Sequence, residues 1–414
     1  MNKNIIDNKK DNKKMSNITI SYPKKGKNET NSIVFDIMGD REEGLHKSII
    51  NSLRRVLLSS IPSVSFRTEM NNTDIKIVKN TSPLHNEYIL HRISMIPLYI
   101  DPEEYKRDML FKLKVSADPK KPVTKVTARD FEIFPLKEGV ENEDGEIDLN
   151  KFSVVEIPES EKIKIFRPFK DKYYCDVTEL KGDNVDSKAE IELYGIPRVS
   201  YAYENARWQA VSMATYSFKR DEEQFTKVLN EKIKLENISE EERYKFSKSL
   251  YISESERYFH RDRMCEPYWY EFKVDSVHHK SSKELFIKAN ELMVEQLELF
   301  KNNLKNISNE EESRISIEKL EENIYCLFVY GNDDTVGNVL QFDISKGIDD
   351  DSDIILCGYK KVHPLENLII FNISLKEGKT NEQHIIKIIE TFTQSSNNLI
   401  EIYNTMISQA KKNL

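Results

Sequence analysis

Three segments of this chain place apolar residues at the spacing of an amphipathic helix, and each leaves an apolar stripe that another element has to cover. The first begins near Gly44 and ends before Pro62, the second covers about residues 283–304, and the third about residues 382–411. The stripe of the first helix comprises Leu45, Ile49, Ile50, Leu53, Val56 and Leu57. In the third, a heptad pattern interrupted at Ser396 comprises Ile385, Ile389, Phe392, Leu399, Tyr403 and Met406. A chain with three such stripes is constrained to pack helix against helix.

Strand-like runs precede the helices in both the first and the last part of the chain. Ile18–Tyr22 and Ser32–Ile37 come before the first helix, and Ile324–Tyr330 comes before a shorter helix predicted over Thr335–Lys346. Asn51-Ser52-Leu53 and Asn338-Val339-Leu340 occupy comparable places in these two helices. The shared order of elements indicates a weak internal repeat, although matches this short also arise by chance.

The middle of the chain differs from both ends. Short strand-like runs such as Leu110–Val115 stand among acidic loops such as Glu141–Asp148, and residues 221–263 are rich in Glu, Lys and Arg. We therefore predict that residues 99–263 form an inserted, β-rich domain.

The remaining residues divide into two domains, a linker and a tail. A first domain is predicted from residues 17–98 together with residues 264–304, and a last domain from residues 321–414. The polar stretch at 305–320 is predicted to be a linker between them, and residues 1–16 a disordered tail.

Composition narrows the function classes. Lys and Arg number 62 against 70 Asp and Glu, a formal net charge of −8, so overall charge does not favour nucleic acid, although a local basic patch stays open. The apolar runs are too short to span a bilayer, and the polar N-terminus lacks the apolar core of a secretory signal. The four cysteines stand far apart without a CxxC pair, which argues against a zinc ribbon and suits a reducing compartment.

No motif predicts catalysis. GxSxG, GxxxxGK[ST], GxGxxG and HExxH are absent from the sequence, and glycine is scarce. His260-Arg261-Asp262 is similar to the start of a kinase catalytic loop, but the later Asn, the Gly-rich loop and a DFG are missing, so a charged surface segment is favoured. We expect no catalytic residue, no cofactor and no metal ion.

Two motifs stand out within the predicted helices. In residues 51–66, Arg54 and Arg55 lie where the helix dipole favours cations, or where they form a fork for carboxylates or carbonyl groups of a partner. In residues 333–340, Gly337 lies inside the first turn, at a cost of roughly 1 kcal/mol relative to Ala. Close packing across a helix pair would account for this glycine.

The first of these motifs resembles the alpha-like subunits of DNA-directed RNA polymerase. Residues 17–98 are similar to the third subunit of eukaryotic RNA polymerase II and to the bacterial alpha N-terminal domain, through LRRVLLSS at 53–60 and NTSPLHNEYILHRISMIPL at 80–98. Three later segments of this chain also resemble the third subunit: VTARDF at 126–131, GIPRVSYAYENARWQAVSMATY at 195–216 and YWYEFKVDSV at 268–277.

The last part of the chain resembles the eleventh subunit of the same enzyme. The similar pieces within residues 321–414 are FVYGNDDTVGNVL at 328–340 and CGYKKVHPLEN at 357–367. Together the two resemblances cover most of the chain, in the order in which the predicted domains occur.

The resemblance implies an α+β fold in which two alpha-subunit-type dimerisation domains pair within one chain, the first carrying the inserted β-rich domain. It also implies a non-catalytic platform on which the two large catalytic subunits of a DNA-dependent RNA polymerase assemble. The expected partners are the largest and second-largest subunits and small polymerase subunits, with nucleic acid reached only through the complex and no membrane contact. The expected subunit-interface residues are Leu45, Ile49, Leu53, Arg54, Arg55, Leu57, Gly337, Asn338, Leu340, Ile385, Ile389, Phe392, Leu399 and Tyr403.

Two features depart from the family pattern. The two subunits are usually separate chains, whereas a polar linker of roughly 15–20 residues joins them here, with a root-mean-square span of roughly 20–25 Å, so pairing within the chain is expected. Many third subunits carry a cysteine-rich zinc loop after the Ile-Pro-Leu element, but PLYIDPEEYKRDML at 97–110 contains no cysteine, and zinc is not carried over.

The fusion itself resembles the fused subunits of large cytoplasmic DNA viruses. It implies an intracellular location, in the host cytoplasm or the virion if the chain is viral and in the nucleus otherwise.

The residues alone leave two alternative functions open. The arginines at 54–55, 197–207 and 257–263 favour a stand-alone nucleic-acid-binding module, and an enzyme with an unrecognised site is the other alternative.

Overall fold

A computed structural model of the chain describes residues 18–22, 31–42, 44–69, 72–136, 155–170, 172–182, 189–307, 314–378 and 380–414. The tail predicted at 1–16 and the acidic loop predicted at 141–148 lie outside the described residues. The strands are β1 Thr19–Ser21, β2 Ser32–Met38, β3 Pro62–Ser65, β4 Thr68–Glu69, β5 Asn72–Thr73, β6 Ile75–Asn80, β7 Met109–Ser116, β8 Val123–Thr127, β9 Phe131–Pro135, β10 Asp176–Lys181, β11 Glu190–Gly195, β12 Arg198–Tyr201, β13 Val211–Phe218, β14 Trp269–Ser276, β15 Ile315–Glu321, β16 Ile324–Tyr330, β17 Ile354–Lys361 and β18 Leu368–Leu375. The helices are α1 Lys47–Ser59, α2 Asn86–Ser94, α3 Glu159–Ile165, α4 Glu222–Leu235, α5 Glu240–Glu254, α6 Ser282–Lys305, α7 Asp334–Lys346 and α8 Asn381–Asn413.

The first sheet is antiparallel, with the strand order β1-β2-β14-β13. Alternate residues of β14 are buried, which is the pattern of a strand with one face covered, and α1 and α6 belong to the same core. The ring of Phe286 on α6 meets Phe35 on β2 edge to face, with the centroids 4.8 Å apart. The strand β13 was predicted to belong to the inserted domain, and this assignment is wrong because β13 pairs with β14 along its whole length.

A second hydrophobic core is formed mainly by the elements from β6 to β11, which we call the inserted unit. Its sheet has the order β6-β11-β7-β9, and the residues behind it form a cluster separate from that of the first sheet. Helix α2 and strand β6 were predicted to belong to the first domain. They belong instead to the inserted unit, because Ile89 and Ile93 of α2 and Ile75 of β6 are buried in the same cluster as Phe111.

The charged segment 221–263 contains two helices, α4 and α5, that bury little of their surface. Phe225 is the buried residue of α4 and Leu250 that of α5. An ion pair between Lys232 and Glu254, with Nζ 2.8 Å from a carboxylate oxygen, connects the two helices. Most of their surface therefore faces outward.

A third four-stranded sheet lies near the end of the chain, with the order β15-β16-β18-β17, and the helices α7 and α8 belong to its core. The linker predicted at 305–320 is wrong for Lys305, which ends α6, and for residues 315–320, which lie in β15 and pair with β16. The physical reason is apolar alternation, since Ile315 is buried and Ile317 packs against the core. Residues 306–314 separate this strand from the end of α6.

The sheets β1-β2-β14-β13 and β15-β16-β18-β17 and the helices α1, α6, α7 and α8 contribute to one continuous hydrophobic core. The inserted unit keeps its own core beside it. The predicted α+β class with a β-rich inserted region is confirmed. We call residues 18–307 the N-terminal part and residues 314–414 the C-terminal part.

Gly337 lies where α7 packs on the sheet of its own part. A Cβ atom at this position would stand 2.9 Å from Cδ2 of Tyr359 on β17 and 3.2 Å from Cδ1 of Ile369 on β18. The expectation that the glycine allows close packing across a helix pair is therefore wrong. Gly337 instead allows α7 to approach β17 and β18.

We expect Gly337→Val to lower the free energy of unfolding by about 1–3 kcal/mol, because the added methyl groups overfill the contact between α7 and the sheet. Gly358→Val on β17 is the matched control, since a Cβ there meets nothing within 4 Å. Urea unfolding followed by circular dichroism measures both. Equal stability of Gly337→Val and the wild type would contradict the packing described here.

Candidate subunit interface between the two parts of the chain

The N-terminal and C-terminal parts meet through four helices. Helix α6 runs along α8, α1 contacts both α6 and α7, and α7 contacts α8. We call this packing of α1 and α6 against α7 and α8 the helix interface. It is built by the same apolar stripes from which the sequence predicts helix pairing.

Helix α1 turns its apolar stripe into the shared core. The helix begins after His46, whose Nδ1 accepts a hydrogen bond from the backbone N–H of Ser48 at 3.2 Å, and it ends at Ser59 before Pro62. Four residues that the sequence predicts at the interface are no more than 2% exposed: Leu45, Ile49, Leu53 and Leu57. Burial on this scale makes α1 dependent on the elements that cover it.

Helices α6 and α8 supply the longest apolar faces of the helix interface. Helix α6 begins with a capping box between Ser281 and Glu284. Phe300 of α6 and Phe392 of α8 have ring centroids 6.1 Å apart. The predicted residues Phe392, Leu399 and Tyr403 of α8, and Leu340 of α7, are fully buried.

A buried hydrogen bond crosses this apolar interface. The hydroxyl oxygens of Ser52 on α1 and Tyr403 on α8 are 2.7 Å apart. Ser52 Oγ also lies 2.6 Å from the carbonyl oxygen of Ile49, to which it donates its single proton. The hydroxyl of Tyr403 therefore donates to Ser52, and burial raises the pKa of Tyr403 above its usual range. The sequence placed Tyr403 on an apolar seam and gave no sign of its partner Ser52.

A charged contact lies at the rim of the helix interface. Arg55 of α1 donates from Nη2 to Asp333 at 3.0 Å and from Nε to Thr335 Oγ1 at 2.8 Å. Asp333 is also the N-cap of α7, accepting from the backbone N–H of Thr335 at 2.9 Å. Arg55 thus connects the end of α1 to the beginning of α7, and its side chain is 38% exposed.

An aromatic contact joins the other end of α1 to α7. The imidazole of His46 stacks on the ring of Phe342, with the centroids 3.4 Å apart and the planes at 6°. Burial lowers the pKa of His46 to about 4, against the opposite effect of nearby Glu266. The neutral ring is the form that accepts the hydrogen bond from Ser48 and caps α1. The sequence did not single out His46 or Phe342.

The end of α8 reaches the first strand of the chain. Asn413 donates from Nδ2 to the carbonyl oxygen of Ile20 on β1 at 2.9 Å, and the Tyr22 hydroxyl donates to the carbonyl oxygen of Leu414 at 2.9 Å. These contacts join residues nearly 400 positions apart in the sequence.

Several predicted interface residues are not fully buried, although Ile385 packs against the shared core. Asn338 is exposed, and Ile385 and Ile389 are half-buried, whereas Ile388 between them is fully buried. Arg54 is half-buried and donates from Nε to Asn51 on its own helix at 2.8 Å. The buried face of α8 is therefore centred to one side of the predicted heptad seam at its N-terminal end.

Two negative findings apply to the described part of the chain. No group of three or more His, Cys, Asp or Glu side chains there is placed to hold a metal ion. Likewise, none of the helices given above is long and apolar enough to cross a membrane.

Comparison with known protein families identifies the class to which this architecture belongs. The model of the RNA polymerase Rpb3/Rpb11 dimerisation domain matches residues 41–297, which is more than half of the chain. A second model of the same description matches residues 326–409. The chain belongs to the Rpb3/Rpb11 dimerisation-domain family of RNA polymerase proteins, and it contains two such domains.

Individual relatives agree with this assignment. The chain is 34% identical over 107 residues to DNA-directed RNA polymerases I and III subunit rpac1 of Dictyostelium discoideum, covering 26% of this chain and 24% of that protein. It is 39% identical over 56 residues to DNA-directed RNA polymerase subunit Rpo3 of Pyrobaculum neutrophilum, covering 14% of this chain and 19% of the relative. The human subunit RPAC1 is 28% identical over 78 residues, which is 19% of either chain. The matches thus span a quarter or less of these relatives.

We expect Leu53→Asp to lower the free energy of unfolding by more than about 3 kcal/mol, because it places an unpaired carboxylate in the core of the helix interface. Leu53 is fully buried there. The control is Leu235→Asp on α4, where the side chain is 80% exposed and a change within about 0.5 kcal/mol is expected. Thermal unfolding measures both variants. A normal melting temperature for Leu53→Asp would contradict its placement.

We also expect the chain to become less stable as the pH falls, partly because of His46. Its pKa is lowered to about 4 in the folded chain, so the unfolded chain binds a proton first as the pH drops below about 6.5. The stability from neutral His46 is therefore full above pH 6.5 and declines towards pH 4. Burial also lowers the pKa of His278, to about 3, so that residue adds to the same decline.

The measurement is the free energy of unfolding between pH 7 and pH 4.5 for His46→Asn, which keeps a side chain suited to the N-cap. The pH-dependent decline should be shallower than in the wild type, and the part due to His278 should remain. His85→Asn is the control, since His85 is an exposed N-cap of α2 without a side-chain capping bond. An unchanged slope in His46→Asn would show that His46 does not supply this dependence.

Proposed function

We propose that this chain is a non-catalytic assembly subunit of a multi-subunit DNA-directed RNA polymerase, in which a third-subunit-like part and an eleventh-subunit-like part are fused. The observation that carries the proposal is the helix interface, through which two Rpb3/Rpb11 dimerisation domains pair within one polypeptide. In this function the paired domains form a platform on which the largest and second-largest subunits associate, together with small polymerase subunits.

A groove at the junction of the two parts supports a docking function. The groove has a volume of about 600 Å³ and is lined from both parts of the chain. Tyr203 and Leu299 from the N-terminal part and Tyr330 from the C-terminal part are 71%, 56% and 50% exposed. The lining also contains polar residues such as Asn303, Arg314 and Asp333. Large exposed side chains bordered by polar groups are typical of contact sites for other proteins. Because both parts contribute, the groove exists only while the helix interface is closed.

The fusion has its own consequence for assembly. Joining the two domains through residues 306–314 gives each one an effective partner concentration in the mM range and fixes their ratio at one to one. We propose that the chain is a fused subunit of the type found in large cytoplasmic DNA viruses. On this proposal it acts in the host cytoplasm or the virion, and a non-viral chain would act in the nucleus.

The alternative function is a nucleic-acid-binding module based on the arginines that the sequence analysis named. It has less support than the assembly function. Arg198 forms a bidentate ion pair with Asp74, with Nε 2.8 Å from either carboxylate oxygen. Arg207 is nearly buried, donates to the carbonyl oxygen of Phe66 at 3.1 Å and pairs with Glu69 at 3.1 Å. Arginines held in this way stabilise the fold and are not available for phosphate groups.

Affinity purification of the tagged full-length chain from its source tests the proposal. We expect it to recover two very large chains in equal amount with this subunit. Leu299→Asp, in the junction groove, should reduce their recovery at least several-fold because it puts a charge into an apolar contact. Leu235→Asp introduces the same charge on exposed α4 and should leave recovery unchanged.

Circular dichroism and thermal unfolding should show that both variants fold, since both side chains are exposed. Recovery of the wild-type chain alone would contradict the assembly function. Equal recovery with Leu299→Asp and the wild type would remove the junction groove from the docking surface.

A further inference from the structure

A short turn in the inserted unit presents two aromatic rings to solvent. Phe169 and Tyr173 form an antiparallel bridge, with Phe169 N–H donating to the Tyr173 carbonyl oxygen at 2.6 Å and Tyr173 N–H to that of Phe169 at 3.0 Å. Residues directly opposite each other in such a bridge project to the same side. Their side chains are 68% and 56% exposed. We call Phe169, Lys170, Lys172 and Tyr173 the aromatic turn.

Lysine and arginine side chains lie close to the aromatic rings of this region. Lys170 Nζ lies 5.4 Å from the ring centroid of Phe169, and Lys172 Nζ lies 5.1 Å from that of Tyr173. Just before the turn, the guanidinium carbon of Arg167 lies 4.3 Å from the ring centroid of Tyr99. The surface therefore alternates between aromatic rings and positive charges.

These positive charges are not neutralised by the acidic residues that the structure describes. Within the described ranges, no salt bridge involves Arg167, Lys170 or Lys172, whereas neighbouring Lys162 pairs with Glu156 and Glu159. Residues 162–174 contain five Lys or Arg and one acidic residue, in a chain whose net charge is −8. The aromatic turn is thus a basic site on an acidic protein.

The aromatic turn is held by the core of the inserted unit. Ile165 and Phe166 just before it are buried, and the carbonyl oxygen of Ile165 accepts from the backbone N–H of Tyr99 at 3.0 Å. The ring of Phe166 stacks on that of Phe131, with the centroids 5.5 Å apart. Exposed rings on a fixed base lose little conformational freedom when a ligand covers them.

We propose that the aromatic turn binds single-stranded nucleic acid, with bases stacking on Phe169 and Tyr173 and phosphate groups contacting Arg167, Lys170 and Lys172. Aromatic faces beside a row of cations are the combination that single strands require, because every base offers a flat ring and every link a negative charge. This site lies on the inserted unit and does not depend on the proposed assembly function. It goes beyond the expectation that nucleic acid is reached only through the complex.

The favoured ligand follows from the arrangement of the rings. An anionic membrane surface would be met by a broad apolar face with charges at its border. Here each exposed ring has its own lysine within 5.4 Å, so no wide apolar face forms at the turn. Stacking of separate bases fits this spacing of ring and charge better than insertion into lipid does.

Fluorescence anisotropy of a labelled oligo(U) or oligo(dT), titrated with the full-length chain at several salt concentrations, tests the proposal. We expect salt-dependent binding by the wild type. Phe169→Ala/Tyr173→Ala should weaken it about tenfold or more through lost stacking. Lys170→Glu/Lys172→Glu should weaken it by at least as much and reduce the dependence on salt.

Matched changes on α5 provide the controls. Tyr244→Ala removes a ring that is 76% exposed, and Lys245→Glu/Lys248→Glu makes the same change of charge at exposed positions. Both should bind as the wild type does. All the altered side chains are exposed, and unchanged thermal unfolding checks that each variant folds.

Three outcomes would overturn the proposal. The first is no binding of either oligonucleotide by the wild type. The second is equal losses in the turn variants and the α5 controls, which would indicate a general effect of charge. The third is binding to vesicles containing anionic lipid, lost in the turn variants, without binding to oligonucleotides, which would identify a membrane contact.

Discussion

The packing of α6 along α8 is the interaction on which the rest of the molecule depends. It joins the sheets β1-β2-β14-β13 and β15-β16-β18-β17 into one hydrophobic core, to which α1 and α7 also contribute. Inside it, the hydrogen bond between Ser52 and Tyr403 connects α1 to α8. Separating the helices would break this hydrogen bond and expose the apolar stripes to water. The pairing is therefore specific in register as well as strong.

Local periodicity was enough to predict the helices α1, α6 and α8, since each has one broad apolar face and clear signals at its ends. It was not enough to decide to which sheet a strand belongs. Strand β13 pairs with β14 across some fifty residues of charged sequence, and β6 pairs with β11, more than a hundred residues away. Such pairing depends on long-range contacts that no local pattern records, so the predicted borders of the inserted domain were misplaced.

The same distinction holds within the helix interface. Apolar residues such as Leu53 and Leu399 could be predicted, because burial follows from the stripe alone. The contacts of Arg55 with Asp333 and of His46 with Phe342 could not, because they join positions about 280–300 residues apart. The predicted seam of α8 was displaced at its N-terminal end for a related reason. A heptad describes contact with one helix, whereas α8 also packs on its own sheet, where Phe392 meets Phe371 with the centroids 5.0 Å apart.

Because the two domains are joined in one chain, the contacts at the rim of the helix interface need to contribute less free energy to their pairing. An exposed ion pair such as Arg55–Asp333 contributes about 0–1 kcal/mol, which is little for the affinity of two separate subunits. In one chain the effective concentration already favours pairing, so such a contact serves mainly to orient α1 against α7. The junction groove then keeps a fixed shape, because both of its walls are tied to the same core. The aromatic turn belongs to the separate core of the inserted unit, so a ligand bound there leaves the helix interface undisturbed.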